Sequence, residues 1–315
     1  MDLGGTKLSA AIFTDEGSIL SETTVRLDDR KGNDVGRLIT EVAGKLVGSY
    51  TDAHGRIRGI GICVPGIYHA SSGRVWAPNI SGWDDYPLLE VLSAAFKNEN
   101  ISVNIDSDRA CSILGETWKG IALNSRNAIF MAVGTGIGAG ILCDGRIIRG
   151  HADIAGSVGW MALTPHFHEK YKNCGCFEYH ASGEGLVKTA NDLLAGLEVY
   201  NSSSPKSPFT SAMQVFEAYE NDDPVARDVL NQAVTFWGMA AANLISIFNP
   251  EIIVFGGGVF GPAKRFLDQI KKEASKWAQP ISMGRVRFEV SGLGGNTGLV
   301  GAGKLALMTA ESQLD

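Results

Sequence analysis

Apolar positions along this 315-residue chain fall into two alternating patterns, short continuous runs and stripes at helical spacing. The runs Lys7–Phe13, Ile57–Val64, Ser102–Ile105 and Asn127–Val133 read as strands. Between them, Val35–Ser49 places Val35, Leu38, Ile39, Val42, Leu46 and Val47 on one helical face. Pro87–Phe96 reads as a helix with its proline at the start, and Arg109–Gly120 as another. The second half repeats the theme. Two hairpin strands are expected at 127–149, then helices at roughly 182–195 and 208–219. Asp223–Asn249 is a long, strongly apolar helix that Pro250 ends. Glu251–Phe255 and Arg285–Val290 are the last strands, and Thr297–Thr309 closes the chain as a helix. This order, repeated in two halves, predicts an α/β protein of two lobes. A ligand is expected in the cleft between lobes, where glycine loops face each other.

Two glycine-rich strings sit at the ends of these strands, Asp2-Leu3-Gly4-Gly5-Thr6-Lys7 and Gly134-Thr135-Gly136-Ile137-Gly138-Ala139-Gly140. Glycine lets backbone N–H groups approach a ligand with no Cβ in the way, and a run of such amides suits phosphate oxygens. Two such cradles point to phosphoryl transfer. No Walker A string occurs. A dinucleotide fingerprint at Gly134, Gly136 and Ala139 would need a helix next. The next residues are instead Ile141-Leu142-Cys143-Asp144-Gly145-Arg146-Ile147-Ile148, a hairpin signal, so the loop is a turn between strands.

Composition narrows the class further. A net charge of −6 without a Lys/Arg cluster argues against nucleic acid as partner. No secretory signal is visible at the N-terminus. The longest apolar stretch, Ala128–Cys143, is too short and too glycine-rich for a membrane span. Five cysteines, an odd number, fit reduced thiols in a cytoplasm.

The strings DLGGTK, VGTGIGAGI, SDRACSILGETWKG and NPEIIVFGGGV, in this order, resemble the ROK family (repressor, open reading frame, kinase) from residue 2 to about 303. These are sugar kinases and sugar-sensing regulators with the two-lobed, actin-like ATPase (ribonuclease H-like) fold. The resemblance implies an N-terminal lobe at 1–107, completed by 297–315, and a C-terminal lobe at 108–296. It makes Asp2, Gly4, Gly5, Thr6 and Lys7 the first phosphate loop, and Gly134, Thr135 and Gly136 the second. Gly256, Gly257 and Gly258 match the loop bordering adenosine, and Asp108 matches the catalytic aspartate. ATP and Mg²⁺ are the implied cofactors, a sugar the substrate, and a homodimer the expected assembly. Catalysis by Asp108 makes chemical sense, because a carboxylate can orient a sugar hydroxyl and accept its proton.

Plainer readings stand beside these. Asp108 also suits the N-cap of the helix that begins there, and the two roles are compatible. Gly256–Gly258 also suits a strand-to-helix turn, and Lys7 a solvated charge. Trp83 reads as core, while Asn79 and Gly66 match sugar-contacting positions.

The departures from the family pattern concern the sugar. Where family kinases carry Gly-Glu-Ile-Gly-His, this chain has Gly156-Ser157-Val158-Gly159-Trp160. Ser157 and Trp160 therefore replace two polar ligands, and Ser107 replaces an asparagine beside Asp108. Glu178 keeps the expected acidic contact. Such a site should accept a different set of hydroxyls or substituents, so glucose is only a default. The same change removes a histidine from the family's structural zinc site. Of its cysteines only Cys174 and Cys176 remain, with His166 and His168 upstream. C-x-C with H-x-H is not a familiar zinc spacing, so the zinc is expected to be lost and the loop held by packing through Phe167, Tyr171 and Phe177.

An ATP-dependent sugar kinase and a non-catalytic sugar sensor are the two functions to weigh. Catalytic Asp108 and three nucleotide loops favour the kinase, and no helix-turn-helix precedes the first loop. Met1 sits where the first strand should already be under way.

Overall fold

A computed structural model describes residues 1–54, 56–200 and 208–311. The chain opens with β1 (Asp2–Leu3), β2 (Lys7–Phe13), β3 (Ile19–Arg26), α1 (Asn33–His54) and β4 (Gly59–Val64). A ribbon of β5 (Ile67–His69) and β6 (Arg74–Trp76) comes next, then α2 (Leu88–Ala95), β7 (Ser102–Ser107) and α3 (Asp108–Trp118). The second run is β8 (Ala128–Val133), β9 (Ile137–Cys143), β10 (Arg146–Ile147), α4 (Cys176–Ala181), α5 (Gly183–Tyr200), α6 (Ala212–Glu220) and α7 (Pro224–Phe248). It ends with β11 (Ile252–Gly256), α8 (Leu267–Ala274), α9 (Pro280–Met283), β12 (Arg287–Val290) and α10 (Thr297–Glu311).

The described residues form two compact units. The first comprises Met1–Asn124, Ile147–Ala155 and the segment from Gly292 onward; the second comprises Ser125–Arg146 and Gly156–Ser291. By its contacts α3, which begins at Asp108, belongs to the first unit, and the stretch 312–315 of the expected first lobe lies outside the described residues. Each unit holds a five-stranded sheet, in the orders β3-β2-β1-β4-β7 and β10-β9-β8-β11-β12. Each sheet joins an antiparallel hairpin to two parallel strands, β1 with β4 and β7, and β8 with β11 and β12. The parallel strands are covered on both faces, which is why β4 and β11 are nearly all buried and read as continuous apolar runs.

Local chemistry sets the element ends. Asp223 caps α7, accepting from the Val225 and Ala226 N–H groups at 2.9 and 3.0 Å, and Asn249 closes it in the left-handed region. Asp144 and Gly145 both have positive φ, 50° and 78°, which makes a tight turn of the hairpin type between β9 and β10. The strand β3 was not expected from the pattern. Its sequence ILSETTVR lies mostly exposed on a sheet edge, where few apolar residues are needed. The ribbon β5–β6 and the short helix α8 were also not expected, since three-residue strands and an eight-residue helix carry little periodicity.

Candidate active site

In the first unit, the parallel strands β4 and β7 run into turns, and α3 begins directly after β7. Ser107, not Asp108, is the N-cap: its hydroxyl accepts from the Ala110 N–H at 3.3 Å. This corrects the capping reading of Asp108. Asp108 is the first helical residue, and its carboxylate accepts from the Arg109 N–H at 2.8 Å. The helix lies close to α10, with small residues at the crossing. A Cβ on Gly115 would stand 2.6 Å from the Thr297 carbonyl oxygen, and one on Gly301 would overlap the Cys111 carbonyl.

Asp108 is reached by solvent, yet the protein around it pushes its carboxyl up to about 6. Loss of hydration outweighs the Arg109 guanidinium and the Arg109 N–H bond, and the negative charge of Asp2 adds to the rise. Two residues back, Asp106 is buried and pairs with Arg149, whose Nε donates to Asp106 Oδ2 at 3.1 Å. Burial still holds that carboxyl above its usual range. Its other oxygen accepts from the Ser107 N–H at 2.8 Å, so the pair clamps the turn that carries Asp108. The Asp106–Arg149 pair went unforeseen, because 43 residues separate its members.

The glycine turn between β1 and β2 is closed by the Gly4 N–H donating to the Lys7 carbonyl at 2.9 Å. Gly5, Thr6 and Lys7 are exposed on it, and Asp2 lies beside Gly298. Asn79 reaches this turn, with its amide nitrogen 3.4 Å from where a Gly5 Cβ would stand. Gly66, at φ +87°, turns the chain from β4 to β5. Trp83 is fully buried, stacked on Tyr86 at 4.4 Å, and belongs to the core.

In the second unit, Gly134, Thr135 and Gly136 form the β8–β9 turn. The Gly183 N–H, at the start of α5, donates to the Gly134 carbonyl at 2.8 Å. The strand β11 ends at Gly256, and Gly257 has φ +89° with the Val133 carbonyl so close that a Cβ would clash. These turns enclose a cavity of about 550 Å³ lined by Gly134, Thr135, Gly183, Lys188, Met213, Phe216, Gly258 and Pro262, among others. That volume falls in the usual range for small-molecule sites. The α5 and α6 lining residues were not foreseen, because only the fold carries them to the glycine turns. Gly258 has nothing within 4 Å of where its Cβ would lie. Gly258→Val should therefore fold normally and fill the cavity. We expect Tm to change little in a melting scan, and a small molecule held in this cavity to bind about tenfold more weakly by titration calorimetry.

Glu178, in the first turn of α4, sends Oε2 to accept from the Ile137 N–H at 2.6 Å, immediately after the second glycine turn. Burial raises its carboxyl above the usual range, and the Ile137 bond partly opposes this. Gly136 and Gly159 both pack against Glu178, where side chains would collide with it. Ser157 precedes a single helical turn, Val158–Trp160, and Trp160 at its end is 57% exposed.

His166 and His168 are exposed, Cys174 is half-buried and Cys176 is buried. Among the described residues, no three His, Cys, Asp or Glu side chains are grouped to hold a metal ion. The loop packs through buried Tyr171 and Phe177, while Phe167 is exposed, against expectation. Tyr171 bonds His180 Nε2 at 2.8 Å, and burial pushes that imidazole down to about 4. Among the described residues, no helix is long and apolar enough to cross a membrane.

The sequence model of the ROK family matches residues 1–309. A glucokinase of Halalkalibacterium halodurans is 30% identical over 97% of this chain and 93% of its own length. A xylose repressor of Caldicellulosiruptor bescii is 30% identical over 82% of this chain and 64% of its own. A crystal structure of a ROK family glucokinase from Streptomyces griseus, in complex with glucose and AMPPNP, superposes with a TM-score of 0.69. It is 27% identical and covers 98% of both chains.

Proposed function

From a chain that belongs to the ROK family and has its actin-like ATPase fold, we propose an ATP-dependent sugar kinase with Asp108 as general base. The observation that carries this reading is the Asp108 carboxyl, raised to about 6 at the start of α3 and within electrostatic reach of Asp2 at a glycine turn. A base poised near neutrality can take the proton of a sugar hydroxyl as that oxygen forms its bond to the γ-phosphorus and the bond to the ADP oxygen breaks. The exposed amides around Gly5, Thr6 and Thr135 offer phosphate contacts, and the cavity beside Gly258 suits adenosine. Mg²⁺ would come with the ATP phosphates and neutralise their charge, and the Asp2 carboxylate beside the first glycine turn is a hard donor that would suit it.

The acceptor is a hexose or a related sugar, and the family resemblance gives Asn79, Glu178 and Ser157 as its polar contacts. Ser157 and Trp160 stand where a charged and an imidazole ligand were expected, so they alter which hydroxyls or substituents are accepted, and glucose is only the default. Five unpaired thiols suit a reducing compartment, and this reading places the enzyme in the cytoplasm.

The xylose repressor among the relatives favours a second reading, a sugar sensor without turnover. A coupled ADP-release screen with Mg-ATP over hexoses, N-acetylhexosamines and polyols separates the two. We expect turnover on at least one sugar. A sugar that binds, by calorimetry, yet never releases ADP would establish the sensor instead.

A further inference from the structure

Asp106 is a buried carboxylate that the proton transfer assigned to Asp108 does not use. It stands two residues before Asp108, where the pairing of β7 with β4 runs out at Ser107. The amides at this corner are tied by its own side chains. The Ser107 N–H donates to Asp106 Oδ1 at 2.8 Å, Arg109 to Asp108 Oδ1 at 2.8 Å, and Ala110 to Ser107 Oγ at 3.3 Å. Arg109 and Ala110 lie in the first helical turn, where no preceding carbonyl of the helix serves them.

Arg149 reaches this corner from a distant segment. Its Nε and Nη2 both donate to Asp106 Oδ2, which leaves Oδ1 for the Ser107 N–H. The segment that carries it, Ile147–Ala155, belongs to the first unit and is fastened there on either side of Arg149. Ile147 packs against Cys63, Cys111 and Leu114, and Asp153 Oδ2 accepts from the Ala70 N–H at 3.2 Å. The Ala155 N–H donates to the Arg149 carbonyl at 3.0 Å, which closes the segment on itself. The guanidinium is therefore held from behind as well as by the carboxylate it meets.

A buried ion pair is weak evidence for stability, since a neutral pair of similar volume often serves a fold as well. What a rigid two-donor fork on one oxygen supplies is direction. We propose that Arg149 is a positioning residue for the reaction: through Asp106 it holds the corner from which the Asp108 carboxylate is aimed at the acceptor hydroxyl. The inference rests on Asp108 as general base. Misplacing a catalytic group by about 1 Å can cost about 100-fold in rate, so the clamp should act on kcat and leave KM alone.

The test takes Arg149→Met, Arg149→Lys and the double variant Asp106→Asn/Arg149→Met through steady-state kinetics, melting and amide exchange. Arg149→Met leaves Asp106 buried without its partner, so both Tm and kcat should fall. The double variant removes both charges, and asparagine can still accept from the Ser107 N–H. Its Tm should return to within about 2 °C of the parent while kcat stays about 10–100-fold down, with KM for sugar and ATP within about twofold. Arg149→Lys should recover part of kcat, since an ammonium keeps the charge but not the fork. A double variant with the parent's kcat would overturn the proposal. So would a KM for sugar that rises while kcat holds, which would make Arg149 a sugar contact. Exchange at Ser107, Arg109 and Ala110 needs no substrate and should quicken about tenfold in the double variant. Unchanged exchange there would overturn the proposal as well. A parent protein that turns over no sugar would sink the kinase reading, and the exchange result would then decide the clamp by itself.

Discussion

Asp108→Asn should lower sugar-dependent ADP release by about 10²–10⁴-fold while leaving the fold and nucleotide binding intact. Asparagine keeps the shape and can still accept from the Arg109 N–H through its carbonyl, but it cannot take a proton. The pH dependence of the unmodified protein rests on the same group. Its carboxyl is raised from 3.8 to about 6, so the base form is lost as pH falls through 6. We expect kcat/KM on the free enzyme to level off above about pH 6 and to fall tenfold per unit below it. The stability sign is opposite. A carboxyl with a raised pKa binds its proton more tightly folded than unfolded, so it favours the folded state at low pH. That contribution fades as pH rises from 3.8 through 6. The Asn variant should therefore melt no lower than the parent at pH 8. A lower Tm with proportionate loss of activity would mark Asp108 as structural.

Trp237→Ala should be the most damaging single substitution in the second unit, at about 3–5 kcal/mol. The indole is fully buried on α7, its Nε1 donates to the Ala181 carbonyl at the end of α4, and it packs on Phe260 at 5.2 Å. Its loss leaves a cavity and an unpaired carbonyl between the helix carrying Glu178 and the turn after Gly258. We expect Tm to fall by roughly 10 °C. Trp237→Phe should recover most of the packing but not the hydrogen bond, and melting of the three proteins would separate the two contributions.

The elements that read clearly from the chain are those whose own residues carry a period or a boundary signal. The helix α7 appeared in full because Asp223, the apolar stripe and Pro250 are all local. The two glycine turns and the Asp144-Gly145 hairpin were legible for the same reason, since positive φ and missing Cβ atoms are properties of single residues. The edge strand β3 was not, because an exposed edge needs no apolar pattern.

At the candidate site the division is similar. Asp108, Asp2 and the loops at Gly4, Gly134 and Gly256 were recognisable from strings of adjacent residues. The cap of α3, the Asp106–Arg149 clamp, the Glu178–Ile137 bond and the α5–α6 side of the second cavity depend on how the chain folds back on itself. Sequence alone determined the family, the α/β class and the position of the glycine turns, because each rests on local strings of residues. Only the tertiary structure decided that Ser107 caps the helix and that the surroundings of Asp108 push its carboxyl up to about 6. It also decided that Arg149 clamps the buried Asp106 behind the start of α3. Those properties come from desolvation and from hydrogen bonds that form only once the segments are in place, and neither exists until the chain has folded.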